Sequence, residues 1–263
     1  MDLGLEGKVA LVAASSRGLG RAIAAELAAE GARLILCARD EEAVQRAAQE
    51  ISAETGAEVF AMQADVSRRD NVYRLAKDAL DRFEHVDILV TNAGGPPSGP
   101  FESLDAGMWD TAYRLTLQSA VELTRCVLPE MKRRRWGRIL NVTSITVKQP
   151  VDSLMLSNSL RAAVTGFART LANEVAPFGI TVNNLLPGYT RTDRVIELAE
   201  ATSRREGVPV ETVRARIESQ IPMGRMGEPK EFAALAAFLA SERASYITGQ
   251  SIAVDGGWIR GVF

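Results

Sequence analysis

The sequence predicts an α/β fold in which one parallel sheet of about seven strands is covered by helices on both faces. Short apolar runs alternate with helical patterns along the chain, which is typical of a doubly wound sheet. The first apolar run passes through a small-residue turn into an Ala-rich helix, and a second apolar run follows at βαβ distance. The 263 residues fit one large domain better than two small ones.

The first unit occupies residues 8–30, and Gly31 closes its helix. Gly18 and Gly20 lie in the turn, where glycine lets the backbone come close to a ligand. The helix that follows offers unpaired N–H groups to a phosphate. A turn of this kind can also be no more than a tight connection, so the pattern alone leaves both interpretations open. The second strand is predicted at Arg33–Ala38.

The later elements are predicted from apolar periodicity and from Gly and Pro at their ends. Helices are expected at about 40–54, 69–83, 110–135, 153–176 and 230–240, and strands at 58–62, 86–90, 138–143, 180–186 and 251–254. Gly137 is expected to end the third of these helices. Residues 189–229 are predicted to form an insertion of two short helices within the single domain of residues 1–263.

Composition and charge exclude several function classes. The net charge of −2 favours neither a nucleic-acid partner nor an acidic tail. No apolar run reaches the roughly 18–20 residues of a membrane span, and no secretion signal is recognisable at the start. Cys37 and Cys126 are expected to be core residues in a reducing cytoplasm. His85 is the only histidine and is expected at the surface, so no metal site is predicted.

Four consecutive cations, Lys132 to Arg135, fall in the last turn of a predicted helix. Cations there complement the helix dipole, and a solvated face is the simpler interpretation. A docking surface for an acidic partner is the alternative.

Motifs spread over residues 5–257 resemble the short-chain dehydrogenase/reductase family, and most closely its 3-oxoacyl-acyl-carrier-protein reductase-like members. They are the turn at 13–20, Asp65-Val66, Asn92-Ala93-Gly94, Ser144, Pro187-Gly188, and the ending Thr248-Gly249-Gln250 through Asp255-Gly256-Gly257. The resemblance implies a Rossmann fold, a nicotinamide cofactor across the carboxyl ends of the strands, and a homotetramer.

The same resemblance implies a set of cofactor contacts. It places the pyrophosphate at the first turn, the adenine at Asp65-Val66, its ribose at Asn92-Ala93-Gly94, and the nicotinamide carboxamide at 187–192. The expected cofactor-binding residues are Ser15, Ser16, Arg17, Gly18, Leu19, Gly20, Arg39, Asp65, Val66, Asn92, Ala93, Gly94, Pro187, Gly188, Thr190 and Thr192. One departure is that Ala13-Ala14 replaces the family's Thr-Gly. Alanine is expected to follow this path only if its φ stays negative.

The charges near the second strand favour NADP over NAD. An NAD enzyme usually has an acidic residue at the end of that strand for the ribose 2′-hydroxyl, whereas this chain has Arg39. Arg17 and Ser16 lie in the first turn, and two cations with a hydroxyl suit a 2′-phosphate. The alternative is that Arg39 merely pairs with Asp40 or Glu42.

Three of the family's four catalytic positions are changed. The family uses a Ser, a Tyr-x-x-x-Lys motif and an Asn, in which tyrosine protonates the carbonyl oxygen and lysine supports it. Ser144 matches the serine, but Ser157 and Arg161 stand at the tyrosine and lysine positions, and Thr116 at the asparagine position. Arg161 keeps a positive charge that can hold ribose hydroxyls, but neither it nor Ser157 is a good acid at neutral pH.

Other residues are candidates for the missing proton donor. Lys148 follows Ser144 in the same loop, and Tyr189 follows Pro187-Gly188. Either is expected to act directly or through water, unless both are ordinary loop residues.

The 189–229 segment is the family's substrate loop, and its apolar residues suit a lid or an oligomer seam equally well. Arg135 resembles one of the family's carrier-protein docking cations, but the second position is Phe178. The sequence therefore predicts an NADP-dependent oxidoreductase acting on a small carbonyl or secondary alcohol with an atypical proton donor. The alternative is a dinucleotide-binding sensor or partner subunit without turnover.

Overall fold

The computed structural model describes residues 2–262 and confirms the predicted fold class. Seven parallel strands form one sheet in the order β3-β2-β1-β4-β5-β6-β7. The strands are β1 Val9–Ala13, β2 Arg33–Ala38, β3 Val59–Gln63, β4 Ile88–Thr91, β5 Gly137–Val142, β6 Ile180–Pro187 and β7 Ser251–Val254. The chain reverses its direction of travel across the sheet between β1 and β4, so a crevice opens at the carboxyl ends of these two strands.

Nine α-helices within these residues cover the sheet. They are α1 Gly18–Ala29, α2 Glu41–Thr55, α3 Arg69–Phe83, α4 Ala106–Tyr113, α5 Ser119–Arg134, α6 Met155–Val175, α7 Asp193–Glu206, α8 Val210–Ser219 and α9 Pro229–Ala240. None of these helices is long and apolar enough to cross a bilayer.

Side chains alternate between two apolar cores, one on each face of the sheet. Along β1, Val9, Leu11 and Ala13 pack with α3, α5 and α6, whereas Ala10 and Val12 pack with α1, α2 and α9. This period of two is what a strand buried on both faces requires. The two cores fix the strand ends rigidly, and the strand ends position the site.

The predicted long helix near residues 110–135 differs from the structure in two ways. A π-helical turn, Arg114–Gln118, interrupts it between α4 and α5. It ends at Arg135 in the left-handed conformation, with φ 55°, and Gly137 is instead the first residue of β5. The π-turn is a local widening of the helix, and such turns are frequent at functional sites.

His85 does not have the expected surface role. Its Nε2 lies 3.1 Å from Oδ2 of Asp87, and its side chain is only 13% exposed. Asp87 is itself buried and accepts the Val9 N–H, which ties the start of β1 to the residue before β4. Both cysteines are free thiols, and burial raises the pKa of Cys37 to about 12.

The four cations at the end of α5 contact other parts of the same chain. Lys132 lies over the Phe178 ring, and Arg133 pairs with Glu130. Arg134 approaches Asp87, and Arg135 donates to the Pro177 carbonyl. These contacts favour a structural role for the cluster.

Candidate active site

The turn after β1 forms one wall of the crevice, and Ala14 lies at its apex. Ala14 has φ 48°, so the expectation of a negative φ was wrong: alanine occupies the left-handed conformation that glycine usually takes. The Asn92 side chain donates to the Ala14 carbonyl at 3.2 Å. The first residue after β4 therefore holds the turn in place.

Replacing Ala14 by Gly is expected to raise the free energy of unfolding by up to about 1 kcal/mol, because relief of the left-handed alanine outweighs the greater chain entropy of glycine. Urea unfolding measures this change. The matched control is Ala13→Gly, one residue earlier in a buried strand, which is expected to destabilise. Equal destabilisation by both substitutions would contradict strain at Ala14.

Gly20 is required by packing. A Cβ built on it would lie 2.3 Å from the Ala14 carbonyl oxygen and 2.8 Å from Asn92 Nδ2. Gly18 has φ 59°, and a Cβ added to it would lie 3.7 Å from Thr192 Cγ2, so Thr192 faces the start of α1 across the crevice. The N-cap residue of α1, Arg17, makes no capping hydrogen bond with its side chain, which leaves the first N–H groups of the helix for an anion.

The other residues of the turn have different surroundings. Ser15 is fully buried: its hydroxyl donates to the Val12 carbonyl and accepts from the Cys37 N–H. The Ser15 side chain therefore stabilises the turn from its buried side. Ser16 and Leu19 are half-buried, and Leu19 packs against the core on the α1 face.

The two cations predicted to bind a 2′-phosphate are both exposed, but their surroundings differ. Arg17 pairs with Asp193 at 3.2 Å and reaches Glu197 on α7 at 4.0 Å. Arg39 has no carboxylate within ion-pair distance among residues 2–262. Asp40 instead caps α2, and Glu42 pairs with Arg46. The alternative prediction, that Arg39 merely pairs with Asp40 or Glu42, is therefore not observed.

The predicted adenine and ribose contacts lie at the ends of the neighbouring strands. One oxygen of Asp65 accepts from the N–H and the hydroxyl of Ser67, which orients the carboxylate, and Val66 is buried beside it. Ala93 packs against the core, and a Cβ on Gly94 would meet nothing within 4 Å. Open space at Gly94 suits a ligand wall.

The segment after β6 forms the opposite wall. Gly188 packs so closely that an added Cβ would lie 2.6 Å from Asp255 Cα, which explains the glycine after Pro187. Thr190 is buried and pairs with Gly227, and Thr192 begins α7 without capping it through its side chain. The predicted cofactor residues thus lie at the carboxyl ends of the strands and in the segments that follow them.

The catalytic candidates meet at the end of β5. Arg161 Nε donates to Ser157 Oγ at 3.2 Å, because the two residues are one turn apart on α6. Arg161 Nη1 also donates to the Val142 and Thr143 carbonyls, at 2.9 and 2.7 Å. Ser144 is the next residue along, and its hydroxyl accepts the Thr146 N–H. The hydroxyl protons of both serines are therefore available to a ligand.

The Arg161 side chain is half-buried. Burial lowers its pKa to about 10, and the charge of Arg194 contributes in the same direction. It remains protonated at neutral pH, so it acts as a fixed positive charge and not as a proton donor. The family resemblance predicted the charge but not the two carbonyl contacts.

Thr116 lies in the π-helical turn, and its hydroxyl has no partner among the described residues. It lines a cavity large enough for one water molecule, whose other walls include Arg161, Asn92 and Thr143. A water molecule there can accept a hydrogen bond from the Thr116 hydroxyl or donate one to it. Thr116 and Arg161 therefore line the same small cavity.

The two alternative proton donors have different environments. Lys148 lies at the end of the short helical turn after Ser144 and is exposed. The Tyr189 ring packs edge-on against Trp258, with centroids 6.0 Å apart, and burial raises the pKa of its hydroxyl. A higher pKa makes Tyr189 a weaker acid than an ordinary tyrosine.

Helices α7 and α8 form the predicted insertion, and α7 contacts both the turn after β1 and the loop after β4. Arg17 of the first turn pairs with Asp193, and Arg194 donates to the Pro96 carbonyl in the loop after β4. Sequence reasoning missed Arg194, because nothing near it in the chain indicates that it reaches a loop 98 residues away.

Comparisons with known proteins agree with this geometry. The family model of enoyl-(acyl carrier protein) reductases matches residues 13–259. The 3-oxoacyl-[acyl-carrier-protein] reductase of Aquifex aeolicus is 32% identical over 257 residues, covering 98% of this chain and 99% of the relative. The Vibrio cholerae reductase of the same name is 36% identical, covering 97% and 98%.

A solved structure of another reductase is also similar to this chain over its full length. L-sorbose reductase from Gluconobacter frateurii, in complex with NADPH and L-sorbose, superimposes with a TM-score of 0.95 at 33% identity over the full length of both chains. The chain therefore belongs to the short-chain dehydrogenase/reductase family of oxidoreductases and is similar within it to the 3-oxoacyl-acyl-carrier-protein reductases.

Proposed function

We propose that the protein is an NADP-dependent oxidoreductase that moves a hydride between the cofactor and a small carbonyl compound or secondary alcohol. One observation carries the proposal. The glycine turn, Arg39 and Ser144 each follow the carboxyl end of a strand, and these ends lie on the same side of the parallel sheet. NADPH, when bound, supplies the hydride. The sorbose reductase, which holds NADPH and L-sorbose in the same fold, supports this choice.

The residues present fit a phosphorylated dinucleotide. The crevice is kept open where Gly20 packs against Ala14, and the uncapped start of α1 presents N–H groups to a pyrophosphate. Arg39 has no acidic partner within 2–262 and suits the 2′-phosphate. Arg17 can join it, because its exposed ion pair with Asp193 contributes little and is easily exchanged.

Replacing Arg39 by Asp is expected to weaken NADPH binding by about 10- to 100-fold, since a charge-assisted hydrogen bond is lost and repulsion is added. The same carboxylate can accept from a 2′-hydroxyl, so NADH binding is expected to improve. Fluorescence titration measures both affinities, with Arg46→Asp on the exposed side of α2 as the control. Unchanged preference in Arg39→Asp would exclude Arg39 from the site.

We assign the chemistry at the carbonyl to Ser144, Ser157 and Arg161. The hydroxyl of Ser144 orients the carbonyl oxygen by donating to it, and Ser157 donates a second hydrogen bond while its own oxygen is held by Arg161. A side chain one ring shorter than tyrosine leaves room for a water beside Ser157. That water is the proposed proton donor, and the positive charge of Arg161 stabilises the hydroxide it leaves.

Turnover with a panel of ketones and aldehydes tests the proposal directly. Oxidation of NADPH above the rate without protein is expected for at least one of them.

A second candidate function, a dinucleotide sensor or partner subunit, is favoured by the changes at Ser157, Arg161 and Thr116. Tight NADPH binding without turnover on any compound would support this second function and exclude the first.

The proposed function also involves a lid and an assembly. The α7–α8 segment is the proposed substrate lid, and the contacts of α7 with Arg17 and with the Pro96 carbonyl support this role. A small-molecule substrate is preferred to a carrier protein, because Arg135 is bound to Pro177 and Phe178 carries no charge. The homotetramer that the family implies is checked by light scattering.

A further inference from the structure

The side chain of Arg17, in the turn after β1, is held by two carboxylates of the proposed lid. Its Nη1 lies 3.2 Å from Oδ2 of Asp193, and its Nη2 lies 4.0 Å from Oε1 of Glu197. The two acids are one turn apart on α7, so they lie on the same face of that helix. Carboxylate and phosphate oxygens bind the same guanidinium nitrogens, so these acids occupy donors that an anionic cofactor needs.

Resting on the function proposed above, we infer that Asp193 and Glu197 compete with a phosphate group of the cofactor for Arg17. Binding of the dinucleotide exchanges the lid carboxylates for phosphate oxygens at this guanidinium. The two acids act on the cofactor through Arg17, so they are positioning residues that lower the affinity of the protein for the dinucleotide.

The ion pairs around this contact are few. Among residues 2–262, Asp193 and Glu197 are the only carboxylates within ion-pair distance of Arg17, and neither acid has a second cation within that distance. Arg194, which lies between them in sequence, donates instead to the Pro96 carbonyl. Neutralising the two acids therefore removes one defined contact and leaves the other ion pairs of the described chain in place.

The contact lies beside the proposed pyrophosphate site. Arg17 is the N-cap residue of α1, the helix whose first N–H groups are available to an anion. A Cβ on Gly18 would lie 3.7 Å from Cγ2 of Thr192, the residue before α7, so the starts of the two helices are close together. A pyrophosphate at the start of α1 is therefore next to the pairs that Arg17 forms with α7.

The 2′-phosphate is the other possible competitor. The Ser15 N–H donates to the Cys37 carbonyl at 3.0 Å, which joins the turn after β1 to the end of β2. Arg17 is two residues beyond Ser15, and Arg39 is two residues beyond Cys37, so the long side chain of Arg17 starts near both phosphate sites. NADPH and NADH share the pyrophosphate and differ in the 2′-phosphate, so a comparison of the two nucleotides separates these sources.

The exposure of the pair sets the size of the effect. The side chains of Arg17 and Asp193 are 69% and 56% exposed. An ion pair this exposed changes an equilibrium constant by only about 1.5- to 5-fold. The cofactor therefore displaces the carboxylates, and its affinity is lowered by a factor of that order for each pair.

Fluorescence titration with NADPH and NADH tests the inference without turnover. Asp193→Asn combined with Glu197→Gln is expected to tighten NADPH binding by about 2- to 10-fold, because Arg17 no longer leaves two carboxylates. Glu197→Gln alone, which does not alter the first residue of α7, is expected to give a smaller gain in the same direction. An equal gain for NADH assigns the exchange to the pyrophosphate, and a gain for NADPH alone assigns it to the 2′-phosphate.

The same two substitutions in an Arg17→Gln background separate competition from the general removal of negative charge. There they are expected to change the affinity by less than about 2-fold, since the competition needs the guanidinium. The matched control is Glu200→Gln, which removes one negative charge from α7 at a residue paired with Arg204, and it is expected to leave NADPH affinity unchanged.

Unchanged NADPH affinity in the double variant would overturn the inference. A gain that persists in full in the Arg17→Gln background, or that Glu200→Gln reproduces, would also overturn it. A wild-type protein that binds neither nucleotide would instead contradict the proposed function, and this inference with it. The two failures are therefore distinguishable.

Discussion

Turnover of a ketone substrate is expected to rise by about 10²- to 10⁴-fold when Ser157 is replaced by Tyr and Arg161 by Lys, the range that a positioned general acid contributes. The phenol hydroxyl reaches the carbonyl oxygen itself, and the ammonium one helical turn away stabilises the phenolate that forms. Steady-state NADPH oxidation gives kcat for each variant. The gain is expected in kcat, because binding of the cofactor does not depend on the phenol.

The matched control is Ser157→Phe combined with Arg161→Lys, which supplies the ring and the ammonium but no hydroxyl. It is expected to stay at or below the wild-type rate. If the Tyr and Phe variants turn over equally, the ring changes the shape of the site and the missing acid is not what limits the reaction. The proton route assigned to water at Ser157 is then wrong.

Replacing Gly20 by Ala is expected to abolish measurable NADPH binding and to lower the free energy of unfolding by about 1–3 kcal/mol, the usual cost of overpacking. The added methyl group overlaps the Ala14 carbonyl, which is backbone held by Asn92 and cannot turn aside. The turn must therefore shift, and the N–H groups that it presents to the pyrophosphate shift with it. Urea unfolding and fluorescence titration measure the two effects on the same preparation.

Gly166→Ala provides the control for this substitution. Gly166 lies in the interior of α6, where a Cβ meets nothing within 4 Å, so alanine there is expected to stabilise the helix. A Gly20→Ala variant that unfolds and binds NADPH like the wild-type protein would show that the turn is adaptable, and its close packing would then not define the cofactor site.

Most of the fold was predictable because apolar periodicity is strong in this chain. The predicted limits of α3 and β7 agree with the structure, Arg69–Phe83 and Ser251–Val254. Helix α3 buries one clear apolar stripe, whereas the four residues of β7 are all half-buried. Helix ends were less predictable. Arg135 ends α5 in a conformation expected of glycine, and the following Gly137 misled the assignment. Local sequence does not show which residue tertiary packing forces into the left-handed region.

The site was predictable where it depends on strand ends and unpredictable where it depends on distant contacts. The four-residue spacing of Ser157 and Arg161 places them on one face of α6, and they do form a hydrogen bond. The π-turn at Thr116 and the bond from Arg194 to Pro96 arise from packing between remote segments. No periodicity encodes such contacts, so they could be found only in the structure.

Equilibrium binding of NADPH and NADH to the wild-type protein, followed by nicotinamide fluorescence, tests the central claim most directly. NADPH is expected to bind with a Kd about 10-fold or more below that of NADH, because Arg39 pairs with the 2′-phosphate. Absence of binding by either nucleotide, or equal affinity for both, would contradict a cofactor site built from the glycine turn and Arg39.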